Sequence, residues 1–112
     1  MKWSQRDRSL LGRVEELDRL DELPDLVCAD CHLSFDSIRL VLDDLAVADS
    51  NDVEALGRYC RDVASIGRRI RVHIARPALR RLLVAGPVRS FMAAEGDDPP
   101  SPGEPYTCPH RP

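Results

Sequence analysis

A chain of 112 residues, 43% apolar and 31% charged, supports one domain with a core of its own and excludes a second. Aromatic residues make up only 4%, so the interior must be built from aliphatic side chains. The formal net charge of -3 and a pI of about 5.6 argue against a general polyanion binder, and no apolar run approaches the ~20 residues that cross a bilayer.

The charge is unevenly spread. Thirteen Asp or Glu lie between Glu15 and Glu54 against Arg19 and Arg39, whereas Arg58 to Arg89 holds nine Arg against Asp62 alone. An acidic side and a basic side are expected, either as solvated faces or with the acidic part meeting a basic protein partner. Lys2-Trp3-Ser4-Gln5-Arg6 is not followed by an apolar signal region, so the expected location is cytoplasmic.

In chain order, Ser9 to Val14 (SLLGRV) reads as an edge strand with a bend at Gly12. Leu17, Leu20, Leu23, Leu26 and Val27 give a helical stripe that Pro24 either opens at its first turn or kinks. Ser34 to Ser37 is a turn into a strand at Ile38, Leu40 and Leu42. Asp43-Asp44 interrupt that run and Leu45 and Val47 resume it. At Asp49-Ser50 the period changes. Val53, Leu56, Tyr59/Cys60, Val63 and Ile66 recur every three or four residues, predicting a helix from Ser50 to about Ser65, closed by Gly67 in the left-handed region.

Ile70, Val72 and Ile74 alternate as a strand with His73 facing outward at the surface, and Pro77 opens a helix whose buried stripe is Leu79, Leu82 and Leu83. Gly86-Pro87 stop that helix, and Val88 and Phe91 pack as a final half-turn. The sequence thus divides into a domain over residues 1–92 and a Pro-rich tail over 93–112, which holds six of the nine prolines and is expected to be disordered. Strands alternating with helices predict an α/β fold, a small, mainly parallel or mixed sheet covered by helices.

Cys28-Ala-Asp-Cys31-His32 has the spacing of a metal half-site that Cys108 and His110 could complete, but Cys28 and Cys31 also fit as small apolar helix positions, and no metal is expected. Cys60 falls inside a helix. The chain carries no Gly-rich phosphate loop, no HExxH and no G-x-S-x-G, and on a continuous strand Asp43 and Asp44 would point to opposite sides. No enzyme, catalytic residue or cofactor is therefore expected.

The pattern I-x-L-x-L-x-D-L-x-x-x-D-S at Ile38–Ser50, GRY at Gly57–Tyr59, IG at Ile66-Gly67 and RPALRRLLVAG at Arg76–Gly86 resembles the STAS domain, especially the bacterial anti-sigma factor antagonists. The resemblance covers about Leu10 to Phe91, with Gly12 where that family carries a GELD turn and Glu15-Glu16-Leu17-Asp18 loosely similar to it. A first strand would then be short, leaving either an unprotected sheet edge or one covered by the polar Met1–Arg8.

The resemblance implies a non-enzymatic regulator that binds an anti-sigma factor, itself a GHKL-type serine kinase, with Ser50 as the phosphoacceptor. Asn51-Asp52 stands where the family has Ser-Gly, so a carboxylate neighbours Ser50. The contact residues expected from this reading are Asp43, Asp44, Asp49, Ser50, Asn51, Asp52 and Val53, and the hydroxyl of Ser50 can alternatively serve as the helix N-cap. A diverged scaffold module without phosphoregulation is the alternative, and a nucleic-acid binder using Arg58, Arg61, Arg68, Arg69 and Arg71 is the less favoured one. An edge strand is also a surface through which two copies can pair as a homodimer.

Overall fold

The chain starts in a hairpin. Strands β1 (Lys2–Arg6) and β2 (Ser9–Arg13) run antiparallel with Arg6 opposite Ser9, so Asp7 and Arg8 alone make the turn. Such short loops call for a positive φ, and Asp7 supplies it at 54°, a conformation that Asp tolerates better than most side chains. Arg8 then ties the turn to the next strand. Its guanidinium pairs through Nε and Nη2 with the two carboxylate oxygens of Asp36, Nη2 donating to Oδ1 at 3.0 Å. That hydrogen bond, with Arg68 and Arg69 nearby, holds the Asp36 carboxyl below the usual carboxylate range.

The computed structural model describes residues 2–14, 35–42, 49–94, 101 and 103–106. Strand β3 (Ser37–Val41) lies parallel to β2, and β4 (Arg69–His73) parallel to β3. Strand β5 (Glu104–Pro105) pairs antiparallel with the outer side of β1, giving a five-stranded sheet in the order β4-β3-β2-β1-β5. The sheet is mixed. Parallel pairing is confined to β2, β3 and β4, the strands joined by long connections, as hairpins cannot join parallel neighbours.

SLLGRV is therefore an interior strand and not the edge. Of the two expectations for that edge, the polar N-terminal segment is the one found, with Trp3 opposite Gly12 and packed against the core. Part of the segment expected to be without structure also joins the fold. Tyr106 donates its N–H to the Trp3 carbonyl at 3.1 Å and meets Phe35 edge-to-face, centroids 5.2 Å apart.

One face of the sheet carries Leu10, Ile38, Leu40, Ile70 and Val72, all buried, and two helices close over it. Helix α1 (Ser50–Ser65) contributes Val53, Leu56, Tyr59, Cys60 and Val63, the stripe that the sequence period predicts. Its end is also as expected: Gly67 has φ 84°, its N–H bonds the Ala64 carbonyl and that of Arg68 the Val63 carbonyl, which satisfies two of the carbonyls in the last turn of the helix. Ile66, by contrast, lies outside the stripe at 46% exposed.

Helix α2 (Pro77–Val84) buries Leu79 and Leu83, but Leu82 is 41% exposed and does not belong to the stripe. The buried pair is thus Leu79 and Leu83, four positions apart on one face of the helix. Beyond it Val88 is buried, Arg89–Phe91 forms a 3₁₀ turn, and Met92 bridges Val72 in parallel while the Ala93 N–H reaches the Val72 carbonyl at 2.9 Å.

His73 is a second correction. Expected at the surface, it is 3% exposed, on the sheet face away from the helices, next to Val41, with its Nε2 3.3 Å from Arg39 Nη1. Leu11 and Val41 are also buried on that face. Strict alternation assumes that one face is wet, and here part of both faces is dry. Among the described residues no helix is long and apolar enough to cross a membrane.

Candidate functional site

The strand-to-helix junction is built by two aspartates. Asp49 is the N-cap of α1, in extended backbone, and its Oδ1 accepts from the Asp52 N–H at 2.9 Å. Asp52, three residues on, returns the bond: its Oδ2 accepts from the Asp49 N–H at 2.9 Å. This reciprocal arrangement is a capping box, with Asp52 in the position more often held by Glu. Two otherwise orphaned donors are satisfied, and both carboxylates lie at the positive end of the helix dipole.

The cap therefore is Asp49, not Ser50. Ser50 occupies the first helical position and is exposed, as are Asp49 and Asn51. Asp52 and Val53, expected among the contact residues, are turned inward at 2% and 6% exposed, so neither offers a contact surface. Val53 instead fixes the helix start against the turn after α2, where a Cβ at Gly86 would come within 2.5 Å of its Cγ1. One turn further along α1, Gly57 leaves room for the Pro87 ring, which a Cβ would approach to 2.7 Å. Among the described residues, Asp49, Ser50 and Asn51 are exposed at the start of α1, beside the box and the Gly86-Pro87 turn. Asp43 and Asp44 lie outside the described residues.

The role of Asp52 was readable from spacing. An acidic residue three positions after a capping residue is the capping-box signature, and the alternative assignment of Ser50 as N-cap would have put Val53 in that place. Asp52→Ala is expected to lower stability by about 1–2 kcal/mol, because it removes one cap bond and leaves the Asp49 N–H without its acceptor. Ser50→Ala should change it by less than ~0.5 kcal/mol. Urea unfolding of the two variants separates the roles; an equal loss in both would mean that Ser50 also caps.

The arginines named for phosphate contact are not gathered on one surface. Arg58 and Arg61 are exposed on α1, over the face that the helices cover, whereas Arg69 and Arg71 are exposed on the opposite face of β4. Among the described residues no group of His, Cys, Asp and Glu could hold a metal ion. Cys28, Cys31, His32, Cys108 and His110 lie outside the described residues. Cys60 is a free, fully buried cysteine whose thiol burial pushes up to about 12, so it is neither nucleophile nor ligand at neutral pH.

Comparison with protein-family models, with curated proteins and with solved structures finds no match to this chain.

Proposed function

We propose that this protein is a non-enzymatic regulatory module of the anti-sigma-antagonist type, docking an anti-sigma factor that is also a GHKL-type serine kinase through Asp49, Ser50 and Asn51. The observation that carries the reading is the state of Ser50. Its hydroxyl is exposed at the first position of a helix whose cap is already supplied by Asp49 and Asp52, so it is accessible to a kinase and its modification does not dismantle the helix start. Phosphorylation there adds about -1.5 to -2 charges beside Asp49 and changes the docking surface from a neutral hydroxyl to a dianion. Helix-terminal N–H groups favour that phosphate, while the neighbouring carboxylate opposes it. The order of elements, with a strand, the Asp49-Ser50 junction, a helix ended by Gly67 and a parallel strand, supports the same reading.

The test is intact-mass and peptide mapping of protein from its own cells, combined with titration of the cognate kinase against wild type and Ser50→Ala. The expected result is a phosphate on Ser50 that the variant lacks, and at least tenfold weaker association of the phosphorylated form. A retained partner with Ser50 never modified means a constitutive binding module. Folded protein that forms no complex with the kinase overturns the proposal.

A further inference from the structure

The register of the sheet places two rows, polar except at Leu11, on the face away from the helices. Arg6, Ser9, Ser37 and Arg69 form one row, and Ser4, Leu11, Arg39 and Arg71 the next. Between β1 and β2 this face is hollowed into an open cleft of about 170 Å³, lined by Ser4, Arg6, Ser9 and Arg39. Gln5, Leu10 and Leu11 line its floor, and Ser101 and Gly103, from far along the chain, complete the wall. We propose that this cleft, between the β1–β2 hairpin and the residues Ser101 and Gly103, binds a compact oxyanion of the phosphate class, with Arg6 and Arg39 as its charge partners.

Three observations converge on that ligand. Two guanidiniums line one cleft, and their forked N–H groups match the oxygens of a tetrahedral anion better than any other side chain. Hydroxyl-bearing residues surround them: Ser4, Ser9 and Ser101, with Ser9 Oγ held 2.7 Å from Ser37 Oγ and so oriented within the row. The volume suits a small group, since 170 Å³ is below the ~300–1,000 Å³ of sites that enclose extended ligands and is ample for a phosphate or the phosphate of a small ester. The carboxylate of Asp7, at the hairpin turn, also borders the cleft, so the balance of charge there is one positive, with two arginines against one aspartate. Arg39 is half-buried and partly engaged with His73, which holds the guanidinium on this face ahead of any ligand.

The fourth wall is dictated by a glycine. A Cβ at Gly103 would overlap the carbonyl oxygen of Gln5, so only glycine allows the backbone at this position to approach β1 so closely. A ligand that bridges Arg6 and Arg39 to Ser101 would therefore also hold Ser101 and Gly103 to the sheet.

The experiment is a titration of the full chain with inorganic phosphate at constant ionic strength, read on the amide resonances of Ser4, Arg6, Ser9 and Gly103, with O-phosphoserine as a parallel arm. Saturable shifts confined to these residues are expected, with binding at least tenfold weaker in Arg39→Gln and in Arg6→Gln, weaker also in Gly103→Ala, and unchanged in Arg58→Gln on the opposite side. The arm that binds more tightly identifies the free ion or an ester as the ligand. Because Arg39 is half-buried, Arg6→Gln decides the matter if Arg39→Gln does not fold. Shifts that do not saturate, or equal weakening by Arg58→Gln and Arg6→Gln, would overturn the proposal.

Discussion

Leu40→Ala is expected to destabilise the protein by about 3–4 kcal/mol, within the range for leucine truncation where surrounding atoms cannot close in. Leu40 is fully buried in the central parallel strand, between Gly12 on β2 and Val72 on β4. Gly12 brings no side chain to its side, so its neighbour on β2 cannot fill the space that three lost carbons would leave. Against a total stability of roughly 5–15 kcal/mol such a loss unfolds a visible fraction of the chain near physiological temperature. Urea unfolding measures it, with a shifted midpoint at constant slope. Leu82→Ala is the counterpart: the residue is 41% exposed, and its truncation should cost less than ~1 kcal/mol. Comparable losses in the two variants would mean that the core is not centred on β3.

Alkaline pH is expected to unfold the protein in a defined window. Burial pushes the Cys60 thiol from 9.0 to about 12 and raises the Tyr59 phenol, ordinarily at 10.0, in the same direction. The folded chain holds both protons where the unfolded chain has released them. Stability that is fully present below pH 9 therefore falls by about 1.4 kcal/mol per pH unit for Cys60, and by a second such slope above pH 10 for Tyr59, amounting to about 4 kcal/mol by pH 11. The window is clean because Lys2 is the chain's lone lysine and its other basic side chains are almost all arginines, which keep their charge throughout. Urea midpoints from pH 8 to 11 check the slope, and Cys60→Ala should stay flat to about pH 10. Parallel curves for wild type and variant would show that the thiol is not the group that titrates. In native protein at pH 8 the same burial should leave Cys60 unreactive to thiol reagents until unfolding exposes it.

The middle of the fold was legible because local signals and packing agree there. Asp49-Ser50, Gly67 and Pro77 each have one physical use, as cap, left-handed terminator and first-turn residue, and α1 and α2 begin or end at them. The outer strands were not. KWSQR has Trp3 as its main apolar residue, and Glu104-Pro105 has none, so their places in the sheet come from backbone pairing with β2 and β1, which leaves no period in the sequence. His73 and Leu82 differ from the pattern in opposite senses: the first is buried at the end of a strand whose outer face is exposed at Arg69 and Arg71, the second is exposed beside Leu83 on a helix that buries Leu79 and Leu83. At the site, exposure of Ser50 and Asn51 follows from their position, while the spacing of Asp52 to Asp49 marks a capping residue, which is turned inward.

The pairings also order the events of folding. Hairpin β1–β2 closes over two residues and can form within microseconds, whereas β2 meets β3 only after a segment that puts Ser37 28 positions beyond Ser9 has been gathered in. Strand β5 joins across almost the whole chain, Pro105 reaching Ser4, and contributes few contacts. It should therefore arrive last. Removing it would leave the rate of folding almost untouched and speed the rate of unfolding, so the end of the chain acts as a latch on the lifetime of the native state rather than as part of its nucleus.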